Sequence, residues 1–585
     1  MQNLRFAFRQ LLKAPGFTAT AVFALALGIG ASTAMFGVVY AFLLRPLPFA
    51  QPEQLVMLQS RSTKSGSDLG VNYLDYRDWK QQAQSFTDIA FFNLRWNGNL
   101  EAPGGATETL KTTFTTANLF ALLGVEPIRG RNMSPDDDAA GAARAMMISH
   151  RLWMKSFGGD PAVVGREVRL DGELRTVLGV MPPGFRFPSQ TDIWVPSGQF
   201  FAQIGGRSWR ADQAVARLKP GVTISEAAAE MSLIAERIAQ THPDTNRDIG
   251  LAVVPLREHW VGNVRGSLVL LLAACGGVLL IACANVGQLL LARASTRRSE
   301  LLVRAALGAS RAALVRQLLT ESALLGLIGS AFGVLLAFWL VDVVRAAIPV
   351  ELPFWIRIDV DPMVLAFTIA VSLATGLLAG SLPAWQATGV NVSDALKTSG
   401  AGSTGSTRAG ARTRQLLTAA QVAVSVVLLV SASLFLRSIA RLHDVAPGFD
   451  PRQVLLFEVN PTFRNEPAQV QVDRYTRILE RLAQLPGVET VAANNSPPFY
   501  PQRPWNRQQP VAEGQTLEEH SANARVNFQT VSADYYRLLH IPLLRGRVFD
   551  ARDHLKAPHV CIVSESLAGR LWPEQEALGR RLMFG

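Results

Sequence analysis

The sequence predicts an integral membrane protein: an α-helical transmembrane bundle with large α+β extracytoplasmic domains, in a duplicated architecture whose second copy is incomplete. Three observations predict it. Five long stretches carry no charge, Lys and Arg are distributed lopsidedly, and one pattern repeats at a spacing of about 415 residues.

Of the 585 residues, 49% are hydrophobic and only 18% are charged, against roughly 25% charged in a soluble globular protein. That apolar content excludes a disordered chain, and the length excludes a single small domain. The three cysteines build no framework. Cys275 and Cys283 lie too far apart along one helix to pair, and Cys561 stands alone in a polar region. No Cys/His spacing of a metal site occurs.

The charge-free stretches are Ala14–Leu44, Gly266–Ala292, Ser322–Val341, Pro362–Ser393 and Gln415–Leu436. About 20 residues in a helix cross ~30 Å of hydrocarbon, so each is long enough to span. The first is too long for the apolar core of a secretory signal and reads as an uncleaved span. The fourth overshoots the membrane, which places its span at Met363–Ala387. Gly329/Gly333 and Gly376/Gly380 repeat at four-residue spacing, a pattern that suits close helix packing in lipid.

Charge orients the spans. Arg5, Arg9 and Lys13 precede the first span. Arg293, Arg297, Arg298, Arg304, Arg311 and Arg316 follow the second, and Lys397, Arg408, Arg412 and Arg414 follow the fourth. Only Glu300, Glu321 and Asp394 oppose these thirteen, so they carry +10 of the net charge of +11. Excess Lys and Arg mark the cytoplasmic side, which predicts a cytoplasmic N-terminus. The basic balance then reflects topology, and no nucleic-acid-binding motif accompanies it.

The resulting organisation is a cytoplasmic tail (1–16), spans at 17–44, 266–292, 322–341, 363–387 and 415–436, and outer regions at 45–265, 342–361 and 437–585. Cytoplasmic segments lie at 293–321 and 388–414, the latter containing the flexible GAGSTGSTRAG.

The two large outer regions resemble each other. Ala117, Leu123 and Arg129-Gly130-Arg131 match Ala533, Leu539 and Arg545-Gly546-Arg547. Met146–Trp153 parallels Cys561–Trp572, and Val163–Val168 parallels Ala577–Leu582. Arg9-Gln10-Leu11-Leu12 and Arg414-Gln415-Leu416-Leu417 precede the spans in front of them, so the repeat includes a span plus the domain behind it. By symmetry the second half would continue through the rest of its outer domain and three more spans.

Each outer region reads as mixed α and β. Thr223 with Glu226 forms a capping-box pattern ahead of a helix to His242, stopped by Pro243. Asp171-Gly172 within Val168–Val180 signals a hairpin. Asp473–Gln484 predicts a helix closed by Pro486-Gly487, and Val488–Ala492 a strand.

No phosphate loop, G-x-S-x-G elbow or H-E-x-x-H occurs, so nothing marks an enzyme. Asp136-Asp137-Asp138 offers a cation site, but a solvated loop after Ser134-Pro135 is the favoured reading. His150, His242, His259 and His540 are expected at element ends. Asn285 and Gln288, near the inner end of the second span, are expected to bond to neighbouring helices. The loop Arg297–Ser322 has an apolar face (Leu301, Leu302, Ala305, Ala306), then Gly308, then Leu314, Leu318 and Leu319. It predicts a short helix along the membrane, a break at Gly308 and a helix leading into the third span. From spacing alone, arginines anchoring an interfacial helix to anionic lipid account for it.

The segment from Glu300 through Arg304-Ala305-Ala306-Leu307-Gly308-Ala309-Ser310-Arg311 to Gln317-Leu318-Leu319-Thr320-Glu321-Ser322 resembles the signature of the FtsX-like permease domain. Phe8–Phe49 resembles the MacB-type macrolide-exporter permeases, and especially their duplicated, ATPase-lacking relatives, the acidobacterial duplicated orphan permeases. The resemblance implies MacB-like periplasmic core domains in both outer regions. It implies an ABC-type permease in the bacterial inner membrane whose loop after the second span couples to a cytoplasmic ABC ATPase. ATP and Mg would be bound by that partner, no cofactor by this chain. Motion rather than a channel would drive efflux of antimicrobial compounds, peptides or lipids. Carried over, Glu300, Arg304, Gly308, Ala309 and Arg311 form the coupling element. Further partners implied are the bilayer and a second permease chain or periplasmic adaptor. The alternatives are an FtsX-like transducer acting on periplasmic partners, or an uncoupled membrane-anchored binding protein. MacB carries its ATPase ahead of the first span; here about 16 residues precede it, so the ATPase is expected in trans.

Overall fold

The computed structural model describes every residue except 1, 65, 94–95, 102–106, 202–205, 208, 297–309, 348–351, 389–407, 446, 460–466, 497, 499–506, 509, 516–525 and 585. It forms two compact units, Met1–Leu47 with Trp260–Asp444, and Pro48–His259 with Val445–Gly585.

The chain opens with α1 (Gln2–Leu12) and α2 (Pro15–Val39). Pro15 fits the first helical position, and Ala14 before it leaves the helical region, with φ −130° and ψ 69°. Unlike α1, α2 has no polar face, so it belongs in lipid or a bundle interior.

The first outer domain follows in chain order. Its elements are β1 (Leu55–Ser62), β2 (Asp68–Leu69), α3 (Tyr73–Gln82), β3 (Phe86–Phe92), β4 (Trp96–Glu101), β5 (Thr107–Thr115), α4 (Leu119–Leu123), β6 (Arg129–Gly130), β7 (Ala145–Ile148) and α5 (His150–Phe157). Then come β8 (Glu167–Leu170), β9 (Glu173–Val180), β10 (Ile193–Pro196), α6 (Gly198–Phe201), β11 (Gln213–Leu218), α7 (Ile224–Thr241), α8 (Pro243–Asn246) and β12 (Ile249–Pro255). The strands pair in the order β10-β7-β9-β8-β4-β5-β3-β11-β1-β12, and β10 pairs with β5 as well. That second pairing closes six strands into a ring. β10 is the closing strand, antiparallel to β7 and parallel to β5.

Local chemistry explains the turns. Asp171 and Gly172 both take positive φ, 53° and 77°. This is the left-handed pair a two-residue hairpin needs, and Leu170 faces Glu173 across it. Thr223 and Glu226 close the expected capping box on α7.

Along β10 the side chains alternate. Ile193 and Val195 join a core with Phe91, Leu152 and Met231. Trp194 points the other way, edge-on to Phe120 at 5.8 Å, with Nε1 donating to the Phe187 carbonyl at 2.7 Å. Burying side chains of this size contributes about 1.5–3 kcal/mol each.

The remaining long helices are α9 (Leu256–Thr296), α10 (Arg311–Ala347), α11 (Pro362–Thr388) and α12 (Arg408–Asp444). Among the described residues five segments are long and apolar enough to cross a membrane: Pro15–Leu44, Leu256–Arg293, Ala312–Ala347, Pro362–Ser381 and Gln415–Leu442. In this unit α10 packs between α2 and α11 at backbone distance. A Cβ on Gly30 would stand 2.9 Å from the Gly333 carbonyl, one on Gly326 2.6 Å from that of Ser372, and one on Gly376 2.8 Å from that of Ser322. Glycine is required at these seams, as small-residue packing in lipid demands.

The second outer copy contains α13 (Ala468–Ala483), β13 (Arg507–Gln508), β14 (Pro510–Ala512), β15 (Val526–Asn527), α14 (Tyr535–Leu538), α15 (Glu565–Leu571) and β16 (Leu582–Phe584). The helix expected from Asp473 begins at Ala468, directly after Pro467, whose fixed φ suits a helix entry. Val488–Ala492 is no strand, because no neighbouring strand bonds to it among the described residues.

The repeat is visible bond by bond. The pair Phe92/Thr115 recurs as the bridge Asn494/Val531. The Asn93 side-chain oxygen accepts from Phe114 N at 2.9 Å, and that of Asn495 from Thr530 N at 3.0 Å. Thr116 Oγ1 accepts from Phe91 N at 3.0 Å, and Ser532 Oγ from Ala493 N at 2.9 Å. Arg131 grips Asp137 as Arg547 grips Asp553, in both cases at 2.6 Å. Ser149 caps α5 through Leu152 N, and Ser564 caps α15 through Leu567 N.

Candidate functional site

Of the residues singled out for coupling, Glu300, Arg304, Gly308 and Ala309 lie outside the described residues. Arg311 is the first residue of α10; its side chain is outside the described part. Ser310 starts this helix, its Oγ accepting from Ala313 N at 3.3 Å. One turn on, Leu314 is buried, and Glu321 is buried with Gln317 Nε2 donating to its carboxylate at 3.2 Å.

The helix α1 went unread as structure in the sequence. Leu4, Ala7, Phe8, Leu11 and Leu12 carry the i, i+3, i+4, i+7, i+8 signal of an apolar face, but over only eleven residues. Ala7 and Leu11 are buried, and Leu11 clusters with Leu25 and Leu325. Arg293, at the end of α9, donates from Nη2 to the Gln10 carbonyl at 2.6 Å and lies 4.6 Å over the Phe17 ring. Such a cation–π contact is worth about 0.5–2 kcal/mol. Both described flanks of the loop, Arg293 and α10, therefore bear on the same N-terminal helix.

Polar side chains join the spans further in. Gln288 Nε2 donates to Gln421 Oε1 at 3.0 Å, and Gln421 Nε2 donates to Asn285 Oδ1 at 3.1 Å. Asn285 and Gln288 thus bond to a neighbouring helix as expected. Thr33 and Thr368 share a buried hydroxyl bond of 3.0 Å. Each such bond is worth about 0.5–1.5 kcal/mol in lipid. At the other end of this bundle Trp260 stacks edge-on to Trp355 at 5.6 Å, in a cluster with Val38, Val341, Ile356 and Ile358. Tryptophans gather where a helix leaves hydrocarbon for headgroups.

The acidic triplet of the first outer domain divides its labour. Asp137 accepts from Arg131 and from Ser134, which hold its carboxyl well below the usual range. Asp138 is largely buried, which pushes its pKa up, and it accepts from Gly198 N at 2.6 Å and Ala117 N at 3.3 Å. The loop is therefore a structural clasp rather than a freely solvated turn. Among the described residues no group of three His, Cys, Asp or Glu side chains can hold a metal.

Elsewhere in this domain Asp75 is buried with Arg210, and Arg207 Nη1 reaches it at 2.6 Å and Asn246 Nδ2 at 3.1 Å. Asp212 is buried with one carboxylate oxygen unpartnered, which pushes its pKa up to about 8. His150 opens α5 and His242 ends α7, while His259 lies inside the first turn of α9.

The MacB-like periplasmic core domain matches this chain twice, at residues 18–234 and 416–585. The FtsX-like permease C-terminal domain matches residues 272–392. The chain belongs to the MacB/FtsX-like ABC transporter permeases. The macrolide export ATP-binding/permease protein MacB of Chromobacterium violaceum is 28% identical over 48% of this chain and 42% of its own. That of Shigella boydii is 25% identical over 44% and 38%. The chain thus spans about two fifths of the length of these curated relatives. The periplasmic region of MacB from Actinobacillus actinomycetemcomitans aligns with 36% of the chain and 92% of that structure, at 14% identity and a TM-score of 0.28. As a MacB/FtsX-like permease the chain is membrane-embedded, and permeases of this family work with an ABC ATPase.

Proposed function

We propose that this chain is the permease subunit of an ABC-type exporter that takes its driving force from a separate cytoplasmic ATPase. The observation that carries this is the FtsX-like match at residues 272–392, which encloses the basic loop Arg297–Ser322 between two spans. ATP and Mg belong to the partner. Glu300, Arg304, Gly308, Ala309 and Arg311 form the coupling element on this chain, with the N-terminus cytoplasmic and the membrane the bacterial inner membrane.

A movement of the loop would be delivered at its two flanks. Arg293 holds α1 by its last turn, and α10 packs on the same helix, with Leu325 and Leu11 in one buried cluster. The seams of α2, α10 and α11 bring backbone against backbone, so displacement would pass along whole helices. Strand β12 ends at Pro255 and α9 begins at Leu256, which links the second span covalently to the outer sheet. Mechanotransmission of this kind drives efflux outside the membrane, with antimicrobial compounds, peptides or lipids as the substrate class. The MacB relatives are named for macrolide export, which supports the antimicrobial part of that class. The double match to the periplasmic core supports the duplicated orphan permeases as the nearer group.

The test is Arg304→Glu with Arg311→Glu in the native cell. Drug tolerance conferred by the chain should fall to that of the deletion strain while membrane insertion is unchanged. Full tolerance in the double variant would contradict the proposal.

A further inference from the structure

The first span is entered through a helix of its own. α1 stops at Leu12, and Ala14, outside the helical region, lets α2 leave on another axis from Pro15. Thr18 Oγ1 donates to the Leu11 carbonyl at 2.8 Å and Arg293 Nη2 to that of Gln10 at 2.6 Å. Both bonds fall on the last turn, where helical bonding leaves carbonyls open, so α1 is fixed beside the spans by its C-terminal end. The break is particular to this copy of the repeat. Arg9-Gln10-Leu11-Leu12 recurs as Arg414-Gln415-Leu416-Leu417, and at that spacing the counterpart of Pro15 is Ala420. There the helix runs unbroken from Arg408 to Asp444. The counterpart of Lys13 is Thr418, whose hydroxyl accepts from Gln288 Nε2 at 3.3 Å and is taken up in helix contact.

At about 100° per residue α1 divides into three neighbouring sectors. Ala7 and Leu11 occupy the first; both are buried, Leu11 in a cluster with Leu25, Val286 and Leu325. Phe8 and Leu12 occupy the second and are 52% and 66% exposed. Arg9 and Lys13 occupy the third and are exposed as well. Two large apolar side chains thus stand between the bundle contact and a basic stripe. In the sequence Arg5 extends the four-residue spacing of that stripe, and no Asp or Glu occurs before Glu53.

We infer that α1 is a binding site for the headgroups of anionic phospholipids, with Phe8 and Leu12 set among the acyl chains and Arg9 and Lys13 on the phosphates. Only Lys13 and Ala14 separate α1 from a span, so the helix is held at the membrane surface. There an apolar sector beside a basic one meets both its partners: such helices lie in the interface with the apolar side in the acyl boundary. A zwitterionic headgroup carries its own ammonium against the phosphate, whereas an anionic one leaves the charge to the protein. Each Lys or Arg at an anionic surface is worth about a fivefold gain in occupancy. The site uses α1 and the bilayer alone, so it stands apart from coupling to an ATPase.

The test is amide hydrogen exchange on the full chain in nanodiscs at low salt, where surface charge is least screened. One set contains phosphatidylcholine alone, the other about 30% phosphatidylglycerol. Exchange at 6–12 is expected to slow about tenfold or more with phosphatidylglycerol, from the two basic residues together. Arg9→Gln with Lys13→Gln should keep the rate in phosphatidylcholine and lose the slowing. Phe8→Gln with Leu12→Gln should exchange faster in both lipids. Equal exchange of the unaltered chain in the two lipids, which leaves α1 to a protein partner, would overturn the inference. So would slowing that survives in the Arg9→Gln, Lys13→Gln chain, or unchanged exchange in the Phe8→Gln, Leu12→Gln chain.

Discussion

In the first outer copy Ala145–Ile148 lie between two bonded strands, and in the second the same positions, Val560–Val563, bond to no neighbouring strand among the described residues. Around both, the short-range bonds are alike: the serine cap, the Arg–Asp grip and the asparagine clasp. The contrast separates two layers of folding. Caps and turns need partners only a few residues away, so each copy forms them. The closed ring of the first copy is completed by β9 and β10, which join strands far apart along the chain, so its ladder depends on distant chain.

The contrast is broken most strongly at Asp75. At the spacing that relates Asn93 to Asn495 its counterpart is Arg477, which is exposed on α13 and donates to the Asp473 carbonyl. Asp75→Ala leaves Arg210 buried without its anion and should destabilise the first copy by about 3–5 kcal/mol, whereas Arg477→Ala should cost less than about 0.5 kcal/mol. Thermal unfolding followed by tryptophan fluorescence distinguishes them.

A middling effect is expected at Asp212, in β-paired chain that the second copy does not match. With its folded pKa raised to about 8 and an unfolded value near 3.9, the folded state holds a proton that the unfolded state has released between those limits. Its contribution is full below about pH 4, declines as pH rises and is gone above about pH 8. Asp212→Asn should therefore flatten the fall in unfolding temperature between pH 5 and 8.5, with a gain on the order of 1–2 kcal/mol at the alkaline end. An unchanged slope would show that Asp212 is ionised in the fold.

The smallest effects sharpen the likeness. Ser149→Ala and Ser564→Ala each remove one cap bond, worth about 1 kcal/mol, and Ser149→Ala also removes the buried bond to Asp192, for about 1 kcal/mol more. Local exchange in α5 and α15 should rise in both. A loss in α5 alone would mean the second cap is not formed in solution.

What the sequence made legible follows the same division. The hairpin at Asp171-Gly172, the capping box at Thr223 and the interhelical role of Asn285 and Gln288 rest on local or strongly typed signals. The glycines at 329, 333 and 376 are visible as spacing, but only the structure shows which helix each one admits. Three features were out of reach. The helix α1 is too short for periodicity to stand out, and Asp138 looks like any loop acid until Gly198 and Ala117 arrive from distant chain. Val488–Ala492 has strand composition without a strand to pair with. The coupling residues are legible through their family pattern alone: four of the five fall outside the described residues.

The most direct measurement of the central claim is affinity purification of the chain from its native membrane in mild detergent, with mass spectrometry of what accompanies it. The account predicts a co-purifying P-loop ATPase that is lost when Arg304 and Arg311 are both replaced by Glu. Absence of any such ATPase across several detergents, or its retention by the double variant, would contradict coupling through this loop.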